Sequence, residues 1–411
     1  MQGAVVLGLA PILLPIVVDA SGGAAAAGTV MGFFYVGQML APPLGTLTDR
    51  TGWHRTIYLA GYGLLAVGLA VFPLTGSFWF WLALAFVSGT GSAATNTVAA
   101  MFIVEWNPKS QWDTRIGWLQ TFYGAGQAAG LGLAAWLQAE PEIGLWVAAA
   151  LMAPGAVLGA IRLPSPQAHA PPAPEERTFD RRKHLTPRSP AAMLHYYDAD
   201  LKAAVRRLAA EWRSRFGLFL AGWFLVMTGT CLVYTLYPLL MRHAFGIGAA
   251  KSSLYYAVSA TLGVFAYAPS GTLGKRIGDD RVVLLGMLMT LTSAAGMSVL
   301  AYVHTPFHAW LVFLAFVLLP VAWSPLIVAG TALTAQLGQL QNMSEGEAVG
   351  LYNGATAIAS VLSAFAAGAI ADLTSYGVVL ILAAATSAGG SLLILPILGT
   401  SKPEKARSQS P

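Results

Sequence analysis

Apolar runs about as long as a bilayer is thick recur along this chain, six before a polar break and six after it. A hydrocarbon core about 30 Å thick needs roughly 20 apolar residues per helical crossing. The spacing predicts helices over 3–19, 24–47, 56–74, 77–104, 114–138 and 143–162, then over 215–241, 249–272, 282–303, 308–337, 346–371 and 375–399. Each run is long enough to satisfy its own backbone hydrogen bonds in lipid. The alternating segments of about ten residues that a membrane β-barrel requires are not there. Charge content agrees: 10% of the residues are charged and the mean hydropathy is +0.63, whereas soluble domains carry about 25% charged residues. The expected fold is therefore an all-α membrane protein of 12 transmembrane helices in two six-helix bundles.

Lys and Arg accumulate in cytoplasmic loops. If the first span starts inside, every one of the 23 basic residues except Arg242 and Lys251 falls on the inside. That bias predicts an even number of spans with both termini cytoplasmic. It also explains the net charge of +5 as an orientation device, so no nucleic-acid partner is expected. The chain turns apolar at Gly3 without the basic n-region of a signal peptide, so the first span is expected to stay in the protein. Cys231, the single cysteine, excludes an intrachain disulfide and reads as a packing residue within a helix.

The expected organisation is an N-terminal bundle over 1–163, a cytoplasmic linker over 164–214, a C-terminal bundle over 215–400 and a tail over 401–411. Residues 164–190 are rich in proline and charge, as a flexible linker is. Over 191–213, Leu194, Tyr197, Leu201, Val205, Leu208 and Trp212 share one helical face, with Lys202, Arg206, Arg207 and Arg213 on others. Such a basic amphipathic helix belongs in the headgroup layer. His169, His184 and His195 lack metal-ligand spacing, and neither a metal nor a cofactor is expected.

The halves repeat each other. Pro43 to Arg55 reads PLGTLTDRTGWHR, and Pro269 to Arg281 reads PSGTLGKRIGDDR, at the same place in each six-helix set. Internal repeats of whole helix sets mark secondary transporters, with the solute site between the repeats near the midplane. Gly45, Leu47, Asp49, Arg50, Gly52 and Arg55 fit the pattern G-x-L-x-D-R-x-G-[RK]-[RK], with slight length variation. On that loop, its second copy and the 6+6 arrangement, the chain resembles the major facilitator superfamily over nearly its whole length. The resemblance implies a latch at the cytoplasmic side, built from Gly45, Asp49, Arg50, Gly52 and Arg55. Its candidate partners are Glu105, Arg115, Glu345 and Glu347, with Lys275, Arg276 and Arg281 in the second copy. Ser344 and Glu347 have capping-box spacing, so a helix start there would attract Asp49. Lys275 stands where Asp49 stands in the first copy, so the two copies are chemically unequal.

Charged residues inside the spans are almost absent, which leaves Asp19 as the candidate proton site, set against a plain loop role. Polar stripes nominate a solute cavity: Tyr35 and Gln38 in span 2, Asn96 in span 4, Gln120, Tyr123 and Gln127 in span 5, Tyr234 and Tyr237 in span 7, and Asn353 in span 11. Amides and phenols suit a neutral or amphipathic solute, although the same groups also serve as interhelical hydrogen bonds. Gly126 and Gly130 keep the spacing of an antiporter motif in span 5, but Leu131 stands where that motif has proline.

The leading expectation is alternating-access export of a small neutral or amphipathic organic solute. Uptake or exchange of a neutral metabolite such as a sugar, lipid flipping and a non-transporting sensor remain alternatives. No nucleophile motif or ligand cluster supports an enzyme. A monomer is expected, multi-pass in a bacterial inner membrane, with the solute and the bilayer as its partners.

Overall fold

The computed structural model describes residues 1–106, 112–163, 213–303, 305–341, 343 and 345–399; the side chains of 49–50, 104–106, 112–114, 116–117 and 345–347 lie outside that description. The expected linker helix at 191–213 is therefore outside it, except for its last residue. No strand occurs among the described residues.

A π-helix, Gly3–Leu9, runs into α1 (Ala10–Gln38), and α2 (Ala41–Thr51), α3 (His54–Val71), α4 (Phe78–Trp106), α5 (Trp112–Leu137), α6 (Pro141–Ala150) and α7 (Met152–Arg162) complete the first half. The second half comprises α8 (Arg215–Thr235), α9 (Tyr237–Phe245), α10 (Ala249–Ile277), α11 (Asp279–Leu300), α12 (His308–Leu340), α13 (Glu345–Leu373) and α14 (Tyr376–Ile394). Among the described residues, nine helical segments are long and apolar enough to cross a membrane. One of them, Gly3–Thr48, holds two crossings separated by Gly23, whose φ of 72° is not helical. With α5 and α10 added, the described residues make twelve crossings.

Three expected spans are broken by local chemistry. The second span breaks at Met39–Leu40, ahead of Pro42 and Pro43. The sixth is interrupted at Leu151, just before Pro154. The seventh is interrupted at Leu236 and then runs on to Phe245, beyond its expected end at 241, because Pro238 starts a new first turn. Proline offers no N–H to the preceding turn but is accommodated at a helix start.

The repeated loop places a positive-φ glycine at the same position in both halves, but the turns differ, with ψ at 12° for Gly52 and 144° for Gly278. Gly52 closes α2 at φ 69°, and Gly278 closes α10 at φ 98°. Side chains disfavour positive φ, so each copy needs glycine at that position. The join to the last helix of each half is made with opposite chemistry. In the first half the Arg55 guanidinium donates to the carbonyl of Ala160 near the end of α7. In the second, the Asp280 carboxylate accepts from the backbone N–H of Gly399 after α14.

Helices approach closely where glycines face each other, as membrane packing favours. The start of the chain lies on α5 through Gly3, Gly8, Gly126 and Gly130; a Cβ on Gly8 would fall 2.7 Å from the Gly130 Cα. Gly126 and Gly130 thus serve a packing contact. Residues after Gly23 lie on α4 through Gly37 and Gly89, and α8 lies on α14 through Gly222 and Gly390.

The halves meet unequally. At the Gly23 end one apolar core runs through both, from Leu13, Val18 and Ala27 to Leu239, Phe316, Ala367 and Val379. There a Cβ on Gly28 would fall 2.6 Å from the Gly368 Cα, so α1 and α13 touch backbone to backbone. At the Gly52 end the described apolar residues form two separate cores. Ile57, Ala94 and Val98 make one, and Phe216, Val283, Leu333 and Tyr352 belong to the other.

Candidate solute-binding cleft

Within the shared core and packed against it, neutral polar groups from both halves converge. Of the α5 stripe Gln120, Tyr123 and Gln127, it is Gln127 that looks toward α10. Gln127 Nε2 donates to the Tyr256 hydroxyl at 3.3 Å, and Gly124 abuts Val264. Tyr256 stacks on Tyr234 of α8 with ring centroids 5.3 Å apart and 19° between planes. Phe316 closes the cluster edge-on at 5.6 Å from Tyr256. Tyr35 of α1 lies beside Cys231 and Thr235 of α8, and the Cys231 thiol meets the Ser360 hydroxyl at 3.3 Å. Offset and edge-on aromatic pairs at these separations each contribute about 0.5–1.5 kcal/mol beyond their buried area.

Tyr237 lies in the same cluster. It is fully buried against Phe316, and its hydroxyl donates to the Ser252 carbonyl at 2.8 Å. Asn96, Gln120 and Asn353 are exposed. Gln38 and Tyr123 belong to a second polar group inside the first half. Tyr123 donates to the Gln2 amide oxygen, and Gln2 Nε2 donates to Thr95 Oγ1 and, at 3.2 Å, to the Ser92 carbonyl. Gln38 Nε2 reaches Ser92 Oγ at 3.2 Å.

Tyr256 and Gln2 are absent from the polar stripes read in the sequence. Tyr256 sits in the run SSLYYA, where its neighbours give no amide pattern. Gln2 precedes the first apolar residue and reads as a flank rather than part of a span.

The gate candidates divide. Asp49, Arg50, Glu105, Glu345 and Glu347 fall among the side chains outside the description. Gly45 lies against α4, where its Cβ would meet Thr97 at 3.2 Å. Arg55 binds α7 of its own half, while Arg115, Lys275, Arg276 and Arg281 are exposed. In the second copy Asp279 accepts from Gln336 of α12 at 2.7 Å. Asp19 lies at the other end. Its carboxylate faces His243 Nε2 of α9 at 3.7 Å, and His243 stacks flat on Tyr376 at 5.2 Å.

Residues 2–344 match the profile of the Major Facilitator Superfamily. The chain belongs to this superfamily. The solved nucleoside transporter NupG overlays on 97% of it, with 96% of that chain covered, a TM-score of 0.73 and 14% identity. A variant of NupG gives 0.75 at 13% identity, covering 97% of this chain and 98% of the other. At such identity the likeness is one of fold, and it extends through α13 and α14, which lie almost wholly beyond the profile match. No curated protein matches the sequence.

Proposed function

We propose that this superfamily member is a secondary transporter moving a small neutral, ring-bearing polar metabolite, of the nucleoside type, by alternating access. The Gln127–Tyr256 contact carries the reading: an amide and a phenol, one from each half, meet at the core the two halves share. Both groups donate and accept, and the rings of Tyr234 and Tyr256 offer stacking surface. No formal charge stands among the residues gathered there, which suits an uncharged solute. Likeness to a nucleoside transporter adds support at the level of fold.

Together with the bias of basic residues, the separated end faces the cytoplasm. Closing it brings the 43–55 loop toward the start of α13, where the sequence places the latch partners of Asp49. Export of an amphipathic compound is the second reading, favoured by the aromatic cluster of Tyr234, Tyr256 and Phe316.

The test is the full chain in sealed liposomes, given labelled uridine, glucose, an amino acid and an amphipathic dye. Saturable uridine movement, lost in Gln127→Ala and Tyr256→Ala, is expected. Dye movement alone would favour export, and movement of no ring solute would overturn the proposal.

A further inference from the structure

The apolar interior of the second half is interrupted by a polar layer. On α10 the shared core reaches Ala260, and the core at the Gly52 end takes over at Leu273. On α13 the corresponding limits are Ala364 and Ala359, and on α8 they are Leu232 and Met227. The α8 and α13 side chains in this layer are committed to protein partners. Ser363 Oγ donates to the Thr228 carbonyl at 3.0 Å, and the Cys231 thiol meets the Ser360 hydroxyl at 3.3 Å.

Tyr267 of α10 stands in the same layer and differs. It is half-buried and belongs to neither core, and its hydroxyl makes no hydrogen bond among the described residues. Buried phenols ordinarily find a partner. One turn before it, Gly263 abuts the Pro320 carbonyl of α12 and Val264 abuts Gly124 of α5. Tyr267 therefore faces the seam between α12 and α5, where the second half meets the first. It also follows Tyr256 by about three turns, on the same face, with about 16 Å of helix between them. Helical side chains lean toward the N-terminus, so Tyr267 leans toward Tyr256. Tyr234, stacked on Tyr256, neighbours Tyr267 as well. Three phenols thus run from the shared core toward the Gly52 end.

We infer that Tyr267 is a specificity-determining residue: its hydroxyl binds a hydroxyl at the end of the solute nearer the Gly52 side, so the cleft selects ring metabolites carrying sugar-like hydroxyls. A solute that meets both the Gln127–Tyr256 pair and Tyr267 carries polar groups at two ends, as a nucleoside carries a base and a sugar. The inference rests on the reading of this cleft as the solute site. A phenol that only fills space would lose its oxygen without any effect on which hydroxyls the solute needs.

The experiment compares uridine with analogues that each lack one sugar hydroxyl, using the full chain in liposomes. Wild-type protein should show a KM for at least one analogue about tenfold above that of uridine, the loss expected for one hydrogen bond. Tyr267→Phe should raise the KM of uridine toward that of this analogue and leave the analogue's own KM within about twofold. The ratio then falls toward one, because both changes remove the same contact. A general disturbance of the fold would raise both KM values together and leave the ratio as it was. The change removes no hydrogen bond to the described protein, so thermal unfolding should stay where it is in the wild type. An unchanged ratio in Tyr267→Phe, or a wild type that takes uridine and every analogue alike, overturns this inference alone. Failure of the wild type to move any ring solute overturns the cleft reading, and this inference with it.

Discussion

His243 of α9 faces Asp19 of the first crossing across 3.7 Å, joining the two halves at the end where their cores merge. The imidazole is 45% exposed and the carboxylate 19%. Exposed pairs of this kind contribute about 0–1 kcal/mol even with the imidazole protonated, so the pair is a weak tie between the halves. Asp19→Asn should leave liposome transport within a few-fold of wild type, with and without a proton gradient. Loss of gradient-driven transport in Asp19→Asn, with downhill exchange intact, would instead make Asp19 the proton site.

The Gly28–Gly368 contact is expected to matter far more. A leucine at either position must push apart two backbones that touch. Overpacking costs about 1–3 kcal/mol, and about 1.4 kcal/mol changes a conformer ratio tenfold. Gly28→Leu and Gly368→Leu should therefore fold but favour the form opened at the Gly23 end, with net transport falling tenfold or more. Chemical labelling of a cysteine introduced at Asp372, beside Gly23, should speed up in these variants if the wedge acts there.

Cys231 is a natural reporter of occupancy. It is the single cysteine, half-buried beside Tyr35 and bonded to Ser360. A saturating solute should slow its alkylation by N-ethylmaleimide several-fold. Unchanged labelling at saturation would place the solute elsewhere.

Gly52 should be sensitive to substitution for a backbone reason alone. Its φ is 69°, and nothing lies within 4 Å of where a Cβ would sit. The left-handed conformation costs other residues roughly 1–2 kcal/mol. Gly52→Ala should lower thermal stability by about that amount, and Gly52→Asn, which tolerates this region, by less. Equal losses would point to a side-chain clash instead.

The crossings were legible because bilayer thickness and the need to satisfy every backbone group in lipid leave helices of about 20 residues as the solution. The repeat was legible because Gly52 and Gly278 stand at the matching place in each half, where the backbone takes a positive φ. Breaks at Leu151 and Leu236 were less so, since proline in an apolar run signals a kink without saying where the helix resumes. Gln38, Tyr123 and Gln127 stood out as amides and phenols at helical spacing. Tyr256, Gln2 and His243 did not, because each matters through a partner roughly 90 to 220 residues distant in the chain.

The sequence by itself determined the all-helical membrane fold and how many times this protein crosses the membrane, and it marked one loop that recurs in both halves. These follow from local hydropathy and local backbone strain. Tertiary structure alone decided at which end the two halves share one apolar core, that Tyr237 is fully buried against Phe316, and that Gln2 holds the proton of Tyr123. Those outcomes depend on which helix faces meet, and hydrogen bonds and glycine contacts between distant helices are written in no single stretch of chain.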